Sequence, residues 1–255
     1  MRAPSELSVR AVTGIPPLGP GDDLAGIVLA ACAASGPALA SGDVVVIAQK
    51  IVSKSEGRMV ELATVTPSPR AEALAAEVDK DPRVVELILR ESVEVVRARN
   101  GVLITENRYG LVMANAGLDM SNVRPGEEVA LLLPEDADAS AARLRAALEA
   151  GSGLRLGVIV SDSIGRAWRE CTVGHAIGVS GLPARVDLRG QRDLFGRELM
   201  VSEVALADSL AAAAAVVMGE AAEGRPVAIV RGLAAERPDG RARDVVRTRE
   251  RDLFR

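Results

Sequence analysis

Apolar residues recur along the chain in two rhythms. Short unbroken runs, bounded by glycine, proline or charge, read as strands buried on both faces: "VVVIA" within "GDVVVIAQ", "VALLL" within "EEVALLLP", "LGVIV" within "LGVIVSD", and "VAIV" within "RPVAIVRG". Longer stretches spaced by three and four read as helices. One covers roughly Asp22–Ala34, fed by the Pro/Gly loop "GIPPLGPGDDL" (Gly14–Leu24), with Asp22 or Asp23 at its cap. Two more are "SPRAEALAAEV" and "DPRVVELILRESVEVV", each opening with a capping residue and a proline, Ser68–Pro69 and Asp81–Pro82. "SAARLRAALEA" and the long "SEVALADSLAAAAAVVMGEA" complete the helices, the alanine run of the latter being high helix propensity. "NGVLITENRYGLVMANAG" reads as a hairpin turning at Asn107–Gly110. "KIVSKSEGR" (Lys50–Arg58) is polar and reads as loop. Gly/Ala-rich "VGHAIGVSGLPA" follows the Asp162 region, and the last stretch, from "ERPDG" onward, is highly charged. There is no internal repeat and no long low-complexity linker.

Composition narrows the function. At 255 residues the chain suits one large domain or two tightly joined smaller ones. A net charge of −4 offers no basic field to nucleic acid or an anionic membrane. Only Tyr109, Trp168, Phe195 and Phe254 are aromatic, so base-stacking platforms are not expected. The amino-terminal residues lack an apolar signal core and no apolar run reaches membrane-spanning length, so a cytoplasmic location is expected. Cys32 and Cys171 are too few for a disulfide scaffold, and Cys32 sits in an apolar run as plain core. With one histidine, His175, a tetrahedral zinc site and a Ser-His-Asp triad are poorly served. Neither a G-x-x-x-x-G-K-[ST] loop nor a G-x-G-x-x-G turn after a strand is present. A metal acting here would be held by oxygen, which selects Mg²⁺ or Mn²⁺.

Four polar stations lie beside glycines or strand ends. Asp162 and Ser163 follow a buried strand: they read either as turn chemistry or as oxygen ligands at the strand's carboxyl end. Asp119, Ser121 and Asn122 follow the hairpin, where Asp119 is a turn residue or a ligand. Gln49, Lys50, Lys54 and Glu56 form the third station. Lysine occurs only at Lys50, Lys54 and Lys80, although Lys54 alone reads as a solvated charge. Glu220 and Glu223 stand where the long helix ends, a position whose dipole favours cations, so Glu220 either decorates the helix end or awaits a cation. Trp168 reads as a packing residue, and His175 as a satisfied buried imidazole rather than a catalyst. Carboxylates, two lysines and glycine loops together are the parts of metal-assisted phosphoryl transfer.

At these same residues the sequence resembles the coenzyme F420-0:L-glutamate ligases (γ-glutamyl ligases). Six blocks carry the resemblance in order: "GIPPLGPGDDL", "GDVVVIAQKIVSKSEGR", "NAGLDMSNV", "VIVSDSIGR", "GRELMVSEVALADSLAAAAAVVMGE" and "PVAIVRG". The resemblance implies an α+β fold of mixed sheets with flanking helices, one ligase domain over residues 1–245 (two interleaved subdomains being possible within it), and a charged tail or linker start over 246–255. It implies an intertwined homodimer, for which the Tyr109–Ala114 arm and the "AIGVSGL" run offer apolar surface. It implies ligation of L-glutamate to F420-0 with GTP, then a second, γ-linked glutamate, through an acyl phosphate. Two divalent ions (Mg²⁺ or Mn²⁺) and K⁺ would assist. Carried over by motif, Asp119 and Asp162 would hold one metal, and Ser163 and Glu220 the other. Ile15, Pro16, Pro17, Leu18, Gln49, Lys50, Lys54 and Asn122 would contact GTP, as would Met218, Gly219, Glu220, Ala221, Ala222, Glu223, Gly224 and Arg225. Asp119, Asp162 and Lys54 would be the catalytic set. Ser209 departs from the pattern, where a glutamate is expected. Some members carry a flavin domain after the ligase part, so the chain reads as a free-standing ligase or a ligase domain. Another metal- and nucleotide-dependent amide ligase, or a nucleotide-binding module without catalysis, are the alternatives.

Overall fold

The computed structural model describes residues 4–34, 36–121, 123, 128–235 and 237–253. In chain order its elements are β1 (Ser8–Val12), α1 (Leu24–Ala34), β2 (Val44–Ala48), α2 (Gln49–Ser55), β3 (Met59–Glu61), α3 (Pro69–Val78), α4 (Pro82–Arg90), β4 (Ser92–Arg99), β5 (Val102–Asn107), β6 (Val112–Ala114), β7 (Val129–Leu131), α5 (Ala137–Ser152), β8 (Gly157–Arg166), β9 (Arg169–Ser180), β10 (Arg185–Asp187), β11 (Glu203–Ala205), α6 (Leu206–Met218) and β12 (Val227–Arg231), joined by short 3₁₀ turns. The class is α+β, with mixed sheets and flanking helices.

The apolar runs need cover on both faces, and the main sheet supplies it. Its order is β1-β12-β2-β8-β9, with only β2 and β8 parallel. Alternate residues go to opposite layers, as the pleat requires. Val45, Ile47, Val158, Val160, Val227 and Ile229 pack with α1 and α5 on one face. Val44, Val46, Ile159, Ala228 and Val230 pack with α6 on the other. A second core forms from the segment between α2 and α5, where α3 and α4 cover β5 and β7 through Val78, Val85, Ile88, Leu103 and Ala130.

Caps hold the helices where the sequence placed them. Ser68 accepts from Ala71 N–H and Asp81 from Arg83 N–H, while Asp23 accepts from Gly26 N–H ahead of α1.

Several readings change. "KIVSKSEGR" is mostly the helix α2 rather than loop: Ile51 and Val52 are buried, and Ser53 Oγ donates to Gln49 Oε1 at 3.0 Å one turn away. "DPRVVELILRESVEVV" is helix only to Arg90, after which β-branched "SVEVV" becomes β4. "SEVA" likewise leaves the long helix, Glu203–Ala205 forming β11 before α6 begins. The Asp162 strand does not stop at its carboxylate: β8 runs to Arg166 and pairs with β9, Asp162 facing His175.

The "AIGVSGL" run lies in β9 and is covered by its own chain, with Ile177, Val179 and Leu182 all buried. Its glycines set that packing. A Cβ at Gly178 would stand 2.1 Å from the Ala137 carbonyl oxygen, and one at Gly174 2.5 Å from that of Ala211. Both α5 and α6 therefore rest directly on the β9 backbone. The strand's N–H groups are capped as well: Asp208 accepts from Ala176 N–H, and Asp138 from Val179 and Ala242 N–H. Trp168, read as a packing residue, sits instead at the tip of the β8–β9 hairpin, 77% exposed and with positive φ. Cys32 is buried in the core as expected. Among the described residues no helix is long and apolar enough to cross a membrane.

Candidate active site

The parallel pairing of β2 with β8 builds the site. Ala48 lies opposite Ser161, so whatever follows each strand emerges side by side. Gln49 and Lys50 follow from one strand, Asp162 and Ser163 from the other. The next strand over, β12, starts at the same end, because Ala48 N–H donates to the Pro226 carbonyl at 2.9 Å. That bond brings the 219–226 loop alongside. Asp119 arrives from the second core, its backbone fixed by a two-way bridge to Leu131.

These segments enclose a cleft of about 930 Å³. It collects Ile15, Pro16, Pro17, Gln49, Lys50, Lys54, Asp119, Asp162, Ser163 and every residue of the Met218–Arg225 segment. Leu18 is not on the wall; it packs in the core beside α1. Asn122 lies outside the described residues. Ser161, Gly174 and Ala215 are among the wall residues that carry no weight in the sequence reading. Finding them needs the parallel register and the α6–β9 packing, neither of which is local.

The polar atoms are ordered. Lys50 Nζ stands 2.6 Å from Asp119 Oδ2 and donates to Ser121 Oγ at 3.0 Å. Ser121 in turn donates to Asp119 Oδ1 through both N–H and Oγ, at 2.7 and 2.8 Å. Burial pushes the Asp119 carboxyl up, but the bonds from Lys50 and Ser121 prevail and hold it below its ordinary value. Lys54, one turn beyond Lys50 on α2, has its ammonium lowered by burial and by Lys50, against the opposing pull of Asp119.

Asp162 differs from both. Ser163 N–H donates to its Oδ1 at 2.9 Å, and among the described residues no ion pair reaches it. Burial, reinforced by the charges of Asp119 and Glu220, pushes it up to about 7 despite that bond and Lys50. Glu220 accepts from Ser163 Oγ at 2.6 Å. It follows Gly219, whose positive φ and close approach to the Glu223 carboxyl leave no room for a side chain.

The donor set is hard: three carboxylates and a hydroxyl. Among the described residues no three His, Cys, Asp or Glu side chains form a ready-made ion cage. Oxygen donors of this kind are the chemistry that Mg²⁺ or Mn²⁺ takes, ions that keep water and share phosphate oxygens with few protein ligands. His175 is not in this cleft: its Nδ1 donates to the Val173 carbonyl at 2.9 Å, and it lines a second cavity of about 920 Å³ beyond β9.

The comparisons decide the family. The F420-0:Gamma-glutamyl ligase family model matches residues 14–232. The chain belongs to the F420-0:gamma-glutamyl ligase family. It is similar over most of its length to proteins named Coenzyme F420:L-glutamate ligase. The one from Methanothermobacter thermautotrophicus is 45% identical, covering 98% of this chain and 99% of its own. That from Methanopyrus kandleri is 50% identical over 92% of both chains. That from Methanocaldococcus jannaschii is 47% identical over 84% of this chain and 85% of its own. As a member of this ligase family the protein is an enzyme, and the segments that line its cleft, the 15–17 loop, β2–α2, the Asp119 turn, β8 and the end of α6, all lie within the matched residues.

Proposed function

We propose that the protein joins L-glutamate to a carboxylate of coenzyme F420-0 with GTP as the energy source, and then joins a second glutamate, by its amine, to the γ-carboxylate of the first. The reading is carried by the convergence of Asp119, Asp162, Ser163 and Glu220 with Lys50 and Lys54 in one cleft, in a chain similar to enzymes named for F420 and glutamate.

A carboxylate does not react with an amine at neutral pH, so its oxygen must first become a leaving group. Attack of the acceptor carboxylate oxygen on the γ-phosphorus breaks the bond to GDP and forms an acyl phosphate. The glutamate amine then attacks the acyl carbon, the amide forms, and phosphate leaves with the oxygen; the amine proton is released. No side-chain nucleophile is required. Asp119 and Asp162, with Ser163 and Glu220, are the residues that would hold divalent ions. Bound there, such ions would neutralise phosphate oxygens. Lys54, partly desolvated on α2, is placed to offset triphosphate charge. The glycines of the 219–224 loop let backbone approach phosphate.

The assembly we propose is a homodimer. Support comes from the arm around β10 and β11, where Leu194, Phe195, Met200 and Val201 are exposed on the single chain. Monomers seldom leave such a patch in water.

The test incubates protein, GTP and Mn²⁺ with F420-0 and glutamate, with and without K⁺. GDP release together with a mass gain of one glutamate is expected. GDP release only with a different acid acceptor would replace F420-0. Nucleotide binding without turnover of any acceptor would leave a binding module.

A further inference from the structure

Lys50 occupies an oxygen that the proposed chemistry needs. Its ammonium lies 2.6 Å from Asp119 Oδ2, while the other carboxylate oxygen is taken by Ser121. A second bond from Nζ to Ser121 Oγ, and a longer one to the Ser121 carbonyl at 3.4 Å, fix the ammonium on this one turn. Both ends are anchored. Asp119 is held by its bridge to Leu131, and Lys50 rides on α2, whose Gln49 is buried and bonded to Ser53. A divalent ion that takes this oxygen meets an ammonium already against it, and like charges at that separation repel in a partly desolvated cleft.

We propose that Lys50 is a place-holder cation, which holds Asp119 in its ligating position in the metal-free protein and must swing away when a divalent ion takes Asp119. This rests on the reading of Asp119 as a metal ligand. The four-carbon stem can turn without moving α2, and the side chain is already about one-third exposed. The freed ammonium stays within the cleft that Lys54 also lines, where the triphosphate of a bound nucleotide would draw it in competition with the cleft's own carboxylates. Metal and nucleotide then assist each other. The ion releases Lys50 to the phosphates, and the phosphates hold Lys50 off Asp119. The coupling is reciprocal, as any linkage between two sites must be. Lys50 in this account first holds Asp119 and then binds the phosphates; it forms no covalent bond in the reaction.

Two measurements without turnover test this. The first titrates Mn²⁺ alone into chelator-stripped protein, reading free Mn²⁺ by electron paramagnetic resonance. Lys50→Gln is expected to bind Mn²⁺ about fivefold more tightly than the parent, the scale of one partly exposed ion pair, and to lose most of the further gain that GTP gives the parent. Unchanged or weaker Mn²⁺ binding in Lys50→Gln overturns the proposal. Equal tightening in Lys54→Gln overturns it too, since removal of any nearby positive charge would then suffice. No Mn²⁺ binding by the parent, with or without GTP, sinks the metal reading itself and is a distinct result. The second measurement needs no variant. Amine acylation of the parent, read by mass spectrometry, should label Lys50 several-fold faster once Mn²⁺ is added and slower again with GTP. Labelling indifferent to Mn²⁺ concentrations that fill the site overturns the swing.

Discussion

Ser163 Oγ donates to Glu220 Oε1 at 2.6 Å, tying the strand that carries Asp162 to the end of α6. This bond closes one side of the cleft and joins the two side chains that the resemblance assigns to one ion. Glu220→Gln keeps the shape and removes the charge. The expected outcome is a rise in the Mn²⁺ concentration needed for half-maximal ligation by tenfold or more, with the melting temperature nearly unchanged. A variant with the parent's metal requirement would reduce Glu220 to a helix-end bond.

Asp162→Asn should abolish GTP-dependent ligation, because its carboxylate would be a ligand to the first ion. Its effect on stability has a sign that can be checked in chelator-treated protein. The folded-state value lies near 7, above the ordinary 3.8. The folded protein therefore retains this proton where the unfolded chain has lost it, and stability falls as pH rises from about 4 to 7. Asparagine removes that loss. Asp162→Asn should thus gain in melting temperature over the parent at pH 8 relative to pH 5. A difference between the two proteins that is the same at both pH values would contradict the raised carboxyl.

Much of this fold is legible in the sequence, and the reason is local. The apolar runs at 44–48, 157–160 and 227–230 became strands buried on both faces, and the caps at Ser68 and Asp81 opened helices. What local pattern missed was decided at long range. α2 has only Ile51 and Val52 as a clear apolar signal, and packing beneath the sheet end makes it helical. "SVEVV" continues the apolar spacing of α4 acceptably, yet its pairing with β5 makes it strand. Trp168 is apolar enough to suggest burial, but at the tip of the β8–β9 hairpin it stands mostly exposed. The four polar stations were visible one by one. Their meeting was implied by the resemblance alone and not by local pattern, because it depends on Ala48 lying opposite Ser161, a pairing that no window of sequence contains.

Lys54→Ala should weaken GTP more than glutamate. Lys54 lies on the cleft wall beside Lys50 and is partly desolvated. A charge-assisted bond to phosphate contributes ~1.5–3 kcal/mol, so GTP affinity should fall by about tenfold to a hundredfold. Isothermal titration with GTP, set against the KM for glutamate, separates the two. Equal losses for both substrates would point to a general effect on the cleft.

Gly178→Ala tests the packing that stands behind the site. The new Cβ would meet the Ala137 carbonyl at 2.1 Å, and backbone cannot step aside as a side-chain tip can. Overpacking of this kind costs about 1–3 kcal/mol or more. Denaturant unfolding should show the midpoint falling accordingly. Gly165→Ala, where a Cβ meets nothing within 4 Å, is the control and should stay close to the parent.

The proposed dimer makes a prediction about concentration. Leu194 and Phe195 are 98% and 95% exposed on the single chain, at the end of an arm whose base is held by Arg185–Glu203 and Arg189–Asp187 ion pairs. Such ion pairs at the base stiffen the arm but cannot cover its apolar tip. Obligate dimers bury well above ~2,000 Å² in total, enough to take in the arm and the surface it meets. If the fold depends on that burial, unfolding should shift with protein concentration. Leu194→Ser combined with Phe195→Ser should move the sedimentation boundary toward the single chain and lower the melting temperature, while leaving the cleft residues untouched. Sedimentation of the parent at nanomolar concentration is the direct test. A folded, active 26.5 kDa species there would refute an obligate dimer, and the ligase reading would stand without it.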